Sequence, residues 1–293
     1  MDLPVPSLPV ESPPVTVLRP SRQTVPVIVA SPHSGREYPA EFVAAARLDA
    51  LSLRRSEDSF VDELFAAAPE HGMPLLAATF PRAFCDPNRE KWELDPAMFD
   101  DELPPWVNTT SPRVGAGLGT IARVVASGET IYRHKLSFAE AERRVRCFWE
   151  PYHRTLEVLI EATRQEFGVC LLIDCHSMPA HGCGGRNGGG PTDFVLGDAH
   201  GTACGPRAVR MVERTLNGMG YAVRRNDPYS GGYVTRHYGR PREGVHVLQI
   251  EMARGLYMDE ARIKPIPRFG AVRRDVTTLL VALAAQAPEL LGR

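Results

Sequence analysis

Two histidines stand in small-residue settings, His33 in Ser31-Pro-His-Ser-Gly35 and His176 in Asp174-Cys-His-Ser177. Either alone reads as a hydrogen-bonded structural histidine. Together they suggest a metal centre, because a catalytic zinc commonly takes three protein ligands and leaves its fourth position open. A carboxylate would complete the set. Glu37, Glu57 and Asp58 are the candidates, and spacing does not choose among them; each could equally be an acidic charge at a helix N-terminus. Glu251 ends the apolar stretch Val245-His-Val-Leu-Gln-Ile250. Desolvation there would make its carboxylate more basic, and a general base is what metal-assisted hydrolysis needs. Its plainer role would be a salt bridge to Arg254 or another arginine. The third group is Arg82-Ala-Phe-Cys-Asp86-Pro-Asn88-Arg89. An arginine fork matches a carboxylate in bidentate geometry, Asn88 can donate two more hydrogen bonds, and Asp86 could orient an arginine. Otherwise this is a surface loop of charge pairs; Pro87 makes it a loop in either case.

Short apolar runs must position these residues. Val25–Ala30 leads to His33, 75–79 towards Arg82, Val169–Ile173 to His176, 193–196 to Gly197, and Val245–Ile250 to Glu251. Continuous apolar runs of this length fit strands buried on both faces. Helical spacing lies between them: 59–68, 207–219, and a long pattern from Val145 to Thr163 preceded by a possible capping box of Ser137 and Glu140. Pro151 should kink or divide that long helix. Strands alternating with helices predict an α/β fold with a largely parallel sheet, in which ligands bind beyond the carboxyl ends of the strands. Six prolines in the first 20 residues predict an extended arm over residues 1–22, followed by one domain over 23–293. Gly182 to Gly190 lacks the Lys-Ser/Thr ending of a phosphate loop and reads as a flexible loop.

Composition narrows the function. Lys+Arg (34) nearly balance Asp+Glu (35), for a net charge of −1, which argues against a general nucleic-acid binder. The longest apolar run, Leu279 to Ala285, is too short for a bilayer span, and the N-terminus lacks the pattern of a signal peptide. Six cysteines without a Cys-x-x-Cys pair read as reduced thiols, which predicts a cytoplasmic protein.

The order and spacing of several stretches resemble the N-formylglutamate amidohydrolase family from about residue 27 to 265. They are Ser31–Gly35, Asp58-Ser-Phe-Val-Asp-Glu-Leu64, Arg82–Arg89, Ile173-Asp-Cys-His-Ser-Met178, Ser230-Gly-Gly-Tyr-Val-Thr-Arg-His-Tyr-Gly239 and Leu248-Gln-Ile-Glu-Met252. The resemblance implies a single-domain, zinc-carboxypeptidase-like fold: a central mostly parallel or mixed sheet with helices on both faces. It implies one zinc ion per chain, held by His33, Asp58 and His176; Asp58 falls on the family's Asp before the Val-Asp-Glu-Leu helix. Glu251 matches the family's Gln-x-Glu base. Asn88 and Arg89 match the Asp-x-Asn-Arg motif that grips a substrate carboxylate, Arg236 would take a second carboxylate, and Arg82 would support the grip or neutralise a developing oxyanion. The implied reaction is hydrolysis of N-formyl-L-glutamate to formate and glutamate, in the setting of histidine breakdown. Deacylation of another N-acyl amino acid or small acidic amide is the alternative within the same chemistry. A carboxypeptidase, or a non-catalytic metal-binding relative, fits the same residues less well.

Overall fold

The computed structural model describes residues 14–180 and 191–291. One sheet collects β1 (Val15–Leu18), β2 (Val27–Ser31), β3 (Leu75–Ala78), β4 (Cys170–Met178), β5 (Phe194–Gly197), β6 (Val223–Arg225) and β7 (Val245–Ala253) in the order β1-β3-β2-β4-β7-β5-β6. The four central strands β3, β2, β4 and β7 are parallel, while β1 and β5 pair antiparallel to them at either side. Every residue of β2 and β4 is buried, as apolar runs covered on both faces require.

The alternation of side chains along a strand divides the core in two. Leu171, Ile173 and Cys175 point to one face, against the helices Pro206–Gly218 and Phe269–Leu291. Leu172 and Val247 point to the other, against the helices Glu150–Phe167 and Tyr233–Tyr238. The expected arrangement of helices on both faces of a mixed sheet is what the chain adopts. The apolar run at 279–285 belongs to the C-terminal helix and packs its Leu279, Leu280 and Leu283 into the first core. Among the described residues no helix is long and apolar enough to cross a membrane.

Several elements differ from expectation. β4 and β7 do not stop before His176 and Glu251. They pair in register from Cys170↔Val245 to Met178↔Ala253, so both residues lie inside strands. A hydrogen-bond ladder depends on the backbone, and polar side chains alone do not end it. The helix expected over 59–68 covers only Val61–Leu64 and starts at Phe60 with φ 68°. Residues 138–167 do divide ahead of Pro151: a π-helical segment, Val145–Trp149, separates Phe138–Arg144 from Glu150–Phe167. Widening the turn there accommodates a proline that has no N–H for its carbonyl partner. Ser137 accepts from the Glu140 amide at 3.3 Å, but the Glu140 carboxylate binds Arg143 and Arg144 instead of closing a reciprocal box. Within the predicted arm, Val15–Leu18 is extended and hydrogen-bonded to β3 as an edge strand. The glycine-rich stretch 182–190 and residues 1–13 lie outside the described residues.

Candidate metal centre

His33 follows β2 in a turn that needs Gly35. A Cβ at Gly35 would lie 2.1 Å from the Phe80 carbonyl oxygen, so only glycine lets the turn press onto the segment after β3. The Asp58 amide donates to the His33 carbonyl at 3.0 Å and brings that carboxylate alongside. His176 projects from β4 directly opposite Glu251 on β7. Leu172, Asp174 and His176 share one face of β4, and Val247, Gln249 and Glu251 share the same face of β7.

Three ligand atoms converge here. Nδ1 of His33 lies 3.3 Å from Oδ2 of Asp58, Nδ1 of His176 lies 3.0 Å from the same oxygen, and the two ring nitrogens are 3.1 Å apart. All three residues are at most 3% exposed. A tetrahedral ion with bonds near 2.1 Å spaces its ligands about 3.4 Å apart, so the triangle is close to the size a metal needs. The groups behind it support the same orientation. His33 Nε2 donates to Asp86 Oδ1 at 2.7 Å, leaving a lone pair on Nδ1. The Asp174 carboxylate lies 3.0 Å from His176 Nε2. That contact is off-axis, and Asp174 has no well-aligned hydrogen bond among the described residues, so it acts chiefly as a charge favouring a proton on Nε2. Carboxylates placed behind metal-binding imidazoles have this effect. Nδ2 of Asn88 approaches the same nitrogen at 3.2 Å. On the far side, Arg254 donates to Asp58 Oδ1 at 3.2 Å and to Ser177 Oγ at 3.0 Å.

The electrostatics ask for a cation. Burial alone would raise the pKa of Asp58, but hydrogen bonds from His176 and His33 and their charges hold it well below the usual range. Burial likewise opposes ionisation of Asp86, and Arg82, His33 and Arg89 outweigh it. Burial would neutralise His176, yet Asp174, Asp58 and Glu251 raise it well above its ordinary value. A proton on His176 would answer this excess of negative charge; a divalent ion between the three ligand atoms would answer it better. The donor set therefore fits a metal, and two imidazoles with one carboxylate suit zinc.

The other candidate carboxylates are elsewhere. Glu57 accepts from Tyr38, Arg54 and Ser59, and Glu37 is exposed. Glu251 does not pair with Arg254, which is committed to Asp58; it accepts from Gln249 Nε2 at 2.8 Å. Burial, partly offset by His176, pushes its pKa up to about 7. Cys175 points into the opposite core, and burial raises its thiol pKa well above normal, so it is filling. The five described cysteines are all free thiols. His153 is also internal: Nε2 donates to the Pro87 carbonyl and Nδ1 accepts from Tyr238, each at 2.8 Å.

A cavity of about 260 Å3 opens in front of His33, His176 and Glu251, and Arg82, Asn88, Arg89, Arg113 and Arg236 line it. Arg82 donates to Asp86 Oδ2 through Nη2 at 2.6 Å. Arg89 donates Nε to the Leu118 carbonyl and Nη1 to the Asn88 carbonyl. Asn88 Oδ1 accepts from the Val234 amide at 2.9 Å, which seats the Tyr233–Tyr238 helix and so Arg236. Sequence reasoning missed three residues. Asp174, two positions before His176 on the same strand face, was findable from strand periodicity; Arg254, just past β7, was considered only as a partner for Glu251; Arg113 carries no local signal.

The chain has known relatives in both sequence and structure. The family model for N-formylglutamate amidohydrolase matches residues 25–258. An N-formylglutamate deformylase of Pseudomonas aeruginosa is 33% identical over 249 residues, covering 83% of this chain and 86% of the relative. One from Pseudomonas putida is 30% identical over 239 residues, covering 80% and 83%. The crystal structure of N-formylglutamate amidohydrolase from Ralstonia eutropha superposes with a TM-score of 0.87 at 39% identity, covering 93% of this chain and 97% of that one. Likeness of this extent, over nearly the whole chain and in three dimensions, means that the chain belongs to the N-formylglutamate amidohydrolase family.

Proposed function

We propose that the protein hydrolyses the formamide bond of N-formyl-L-glutamate to formate and L-glutamate, with one zinc ion held by His33, Asp58 and His176. The observation that carries this reading is the placement of a desolvated carboxylate, Glu251, in the same small arginine-lined cavity as His33 and His176, whose ring nitrogens converge with the Asp58 carboxylate. When bound there, zinc supplies Lewis-acid polarisation and makes water a stronger nucleophile at neutral pH. Glu251 takes a proton from the attacking water and returns it to the leaving amine. Gln249 holds the Glu251 carboxylate in position through its side-chain amide. Arg82, fixed by Asp86, offers positive charge to the oxygen that becomes anionic as the carbonyl is attacked. Arg236, with Arg89 and Asn88 in the same wall, gives the cavity the positive charge that a substrate with two carboxylates needs. A cavity of about 260 Å3 is at the small end for ligand sites, which favours a small acyl amino acid over a peptide.

The test is formate release from N-formyl-L-glutamate by the zinc-loaded protein, beside His176→Ala. Release by the wild type that vanishes in the variant, together with its zinc, is the expected result. A zinc-loaded protein that releases no formate but deacylates N-acetyl- or N-succinyl-L-glutamate would overturn the substrate and keep the chemistry.

A further inference from the structure

Of the four arginines lining the cavity, two are already held in place by protein partners. Arg82 forms an ion pair with Asp86. Arg89 has Nε and Nη1 on backbone carbonyls and its Nη2 3.8 Å from Asp86. The other two differ. Arg113 makes no side-chain hydrogen bond or ion pair with any described residue, and the one such partner of Arg236 is the Ser230 hydroxyl at 3.4 Å. They ride on separate short helices, Pro112–Gly115 and Tyr233–Tyr238. The charge of Arg113 is also close enough to Arg89 to oppose its protonation, after the larger effects of burial and of Arg82. Guanidinium groups gathered in one cavity repel unless an anion sits among them, and each planar fork matches one carboxylate.

Resting on the function proposed above, we infer that Arg113 is a specificity-determining residue: it binds one carboxylate of a dicarboxylic N-acyl amino acid while Arg236 binds the other. Arg82 and Arg89 then serve the reaction centre and the loop that carries it. A dianion satisfies both free guanidinium groups at once. A monocarboxylic analogue leaves one of them facing an uncharged group, and sites built for polar contacts discriminate strongly against ligands that lack one.

The experiment compares kcat/KM for N-formyl-L-glutamate, N-formyl-L-glutamine (no side-chain carboxylate) and the α-amide of N-formyl-L-glutamate, using wild type, Arg113→Ala and Arg236→Ala. Wild type should lose on the order of 100-fold on each truncated substrate. Arg113→Ala should lose about as much on N-formyl-L-glutamate, lose nothing further on one truncated substrate and keep the full loss on the other. Arg236→Ala should show the reverse pattern, as expected of coupled pairs. Equal slowing of all three substrates by Arg113→Ala, or no slowing, overturns the inference. Arg113 has no side-chain partner to lose, so an unchanged Tm is expected for its variant. Calorimetric binding of glutarate and butyrate separates this inference from the reading it rests on. If no formyl substrate turns over, tighter binding of glutarate that Arg113→Ala abolishes still supports the dicarboxylate cradle. Glutarate binding that Arg113→Ala leaves unchanged overturns it.

Discussion

Lowering the pH from 7.5 to 5 should weaken the fold through His153, a residue that touches no ligand atom. Its ring is 3% exposed, and both nitrogens are used by the neutral form: Nε2 donates to Pro87 and Nδ1 accepts from Tyr238. Burial pushes its pKa from 6.5 down to about 3. The unfolded chain therefore takes up a proton below pH 6.5 that the folded chain refuses until about pH 3. Stability from this group is complete above 6.5 and is lost progressively as the pH falls between those values. At pH 5 the unfolded state has gained about 1.5 pH units of proton binding, or about 2 kcal/mol at 1.36 kcal/mol per unit. The assay is urea denaturation of wild type and His153→Gln at both pH values, at one fixed zinc concentration. Wild type should lose about 2 kcal/mol more than the variant. Because Pro87 lies between Asp86 and Asn88, the loop that orients His33 and seats the Tyr233–Tyr238 helix should loosen first. Equal losses in the two proteins would refute the reasoning, since the remaining titrating groups are common to both.

Glu251→Gln should keep its zinc, measured as metal per chain, and lose turnover by about 10²- to 10⁴-fold, the range for a lost general base. In the wild type, kcat/KM should fall on the acid side at or below about pH 7, because burial raises Glu251 to that value and a bound cation would favour its ionised form. Asp58→Asn should lose the metal and about 3 kcal/mol of stability by denaturant titration, because buried Arg254 loses its carboxylate. Chelation of wild type should lower Tm, as removing any ligand specific to the folded state does; an unchanged Tm would count against a resident ion.

Much of this was legible because the chemistry sits on period-2 elements. The apolar runs before His33, His176 and Glu251 marked the central strands, and two histidines at their carboxyl ends already suggested a metal. The carboxylate could not be chosen by spacing. Asp58 reaches the site through a turn whose next residue but one, Phe60, has a left-handed backbone, and no helix or strand periodicity describes such a turn. The ends of β4 and β7 were misjudged because polarity was taken as the end of a strand. β1 was obscured by the prolines on either side of it, Pro14 and Pro20, which lie outside its ladder. Arg113 lay beyond local reasoning altogether: the long irregular stretch after β3 brings it to the cavity, and only tertiary structure reveals it.

The ladder joining β4 to β7 places His176 opposite Glu251 and Asp174 opposite Gln249. Proposed metal ligand and proposed base are therefore separated by a single interstrand step in the middle of a sheet. Inserting or deleting one residue in either strand would turn these side chains into the opposite core, so their spacing resists gradual adjustment. Arg113 and Arg236 have no such constraint, since each belongs to a short helix outside the sheet. The proposed site is thus modular: the strands that carry His176 and Glu251 are locked by main-chain pairing, while the short helices that carry Arg113 and Arg236 can be exchanged. An engineer seeking a deacylase for a different acid should graft new segments around residues 112–119 and 228–239 and leave the strands untouched.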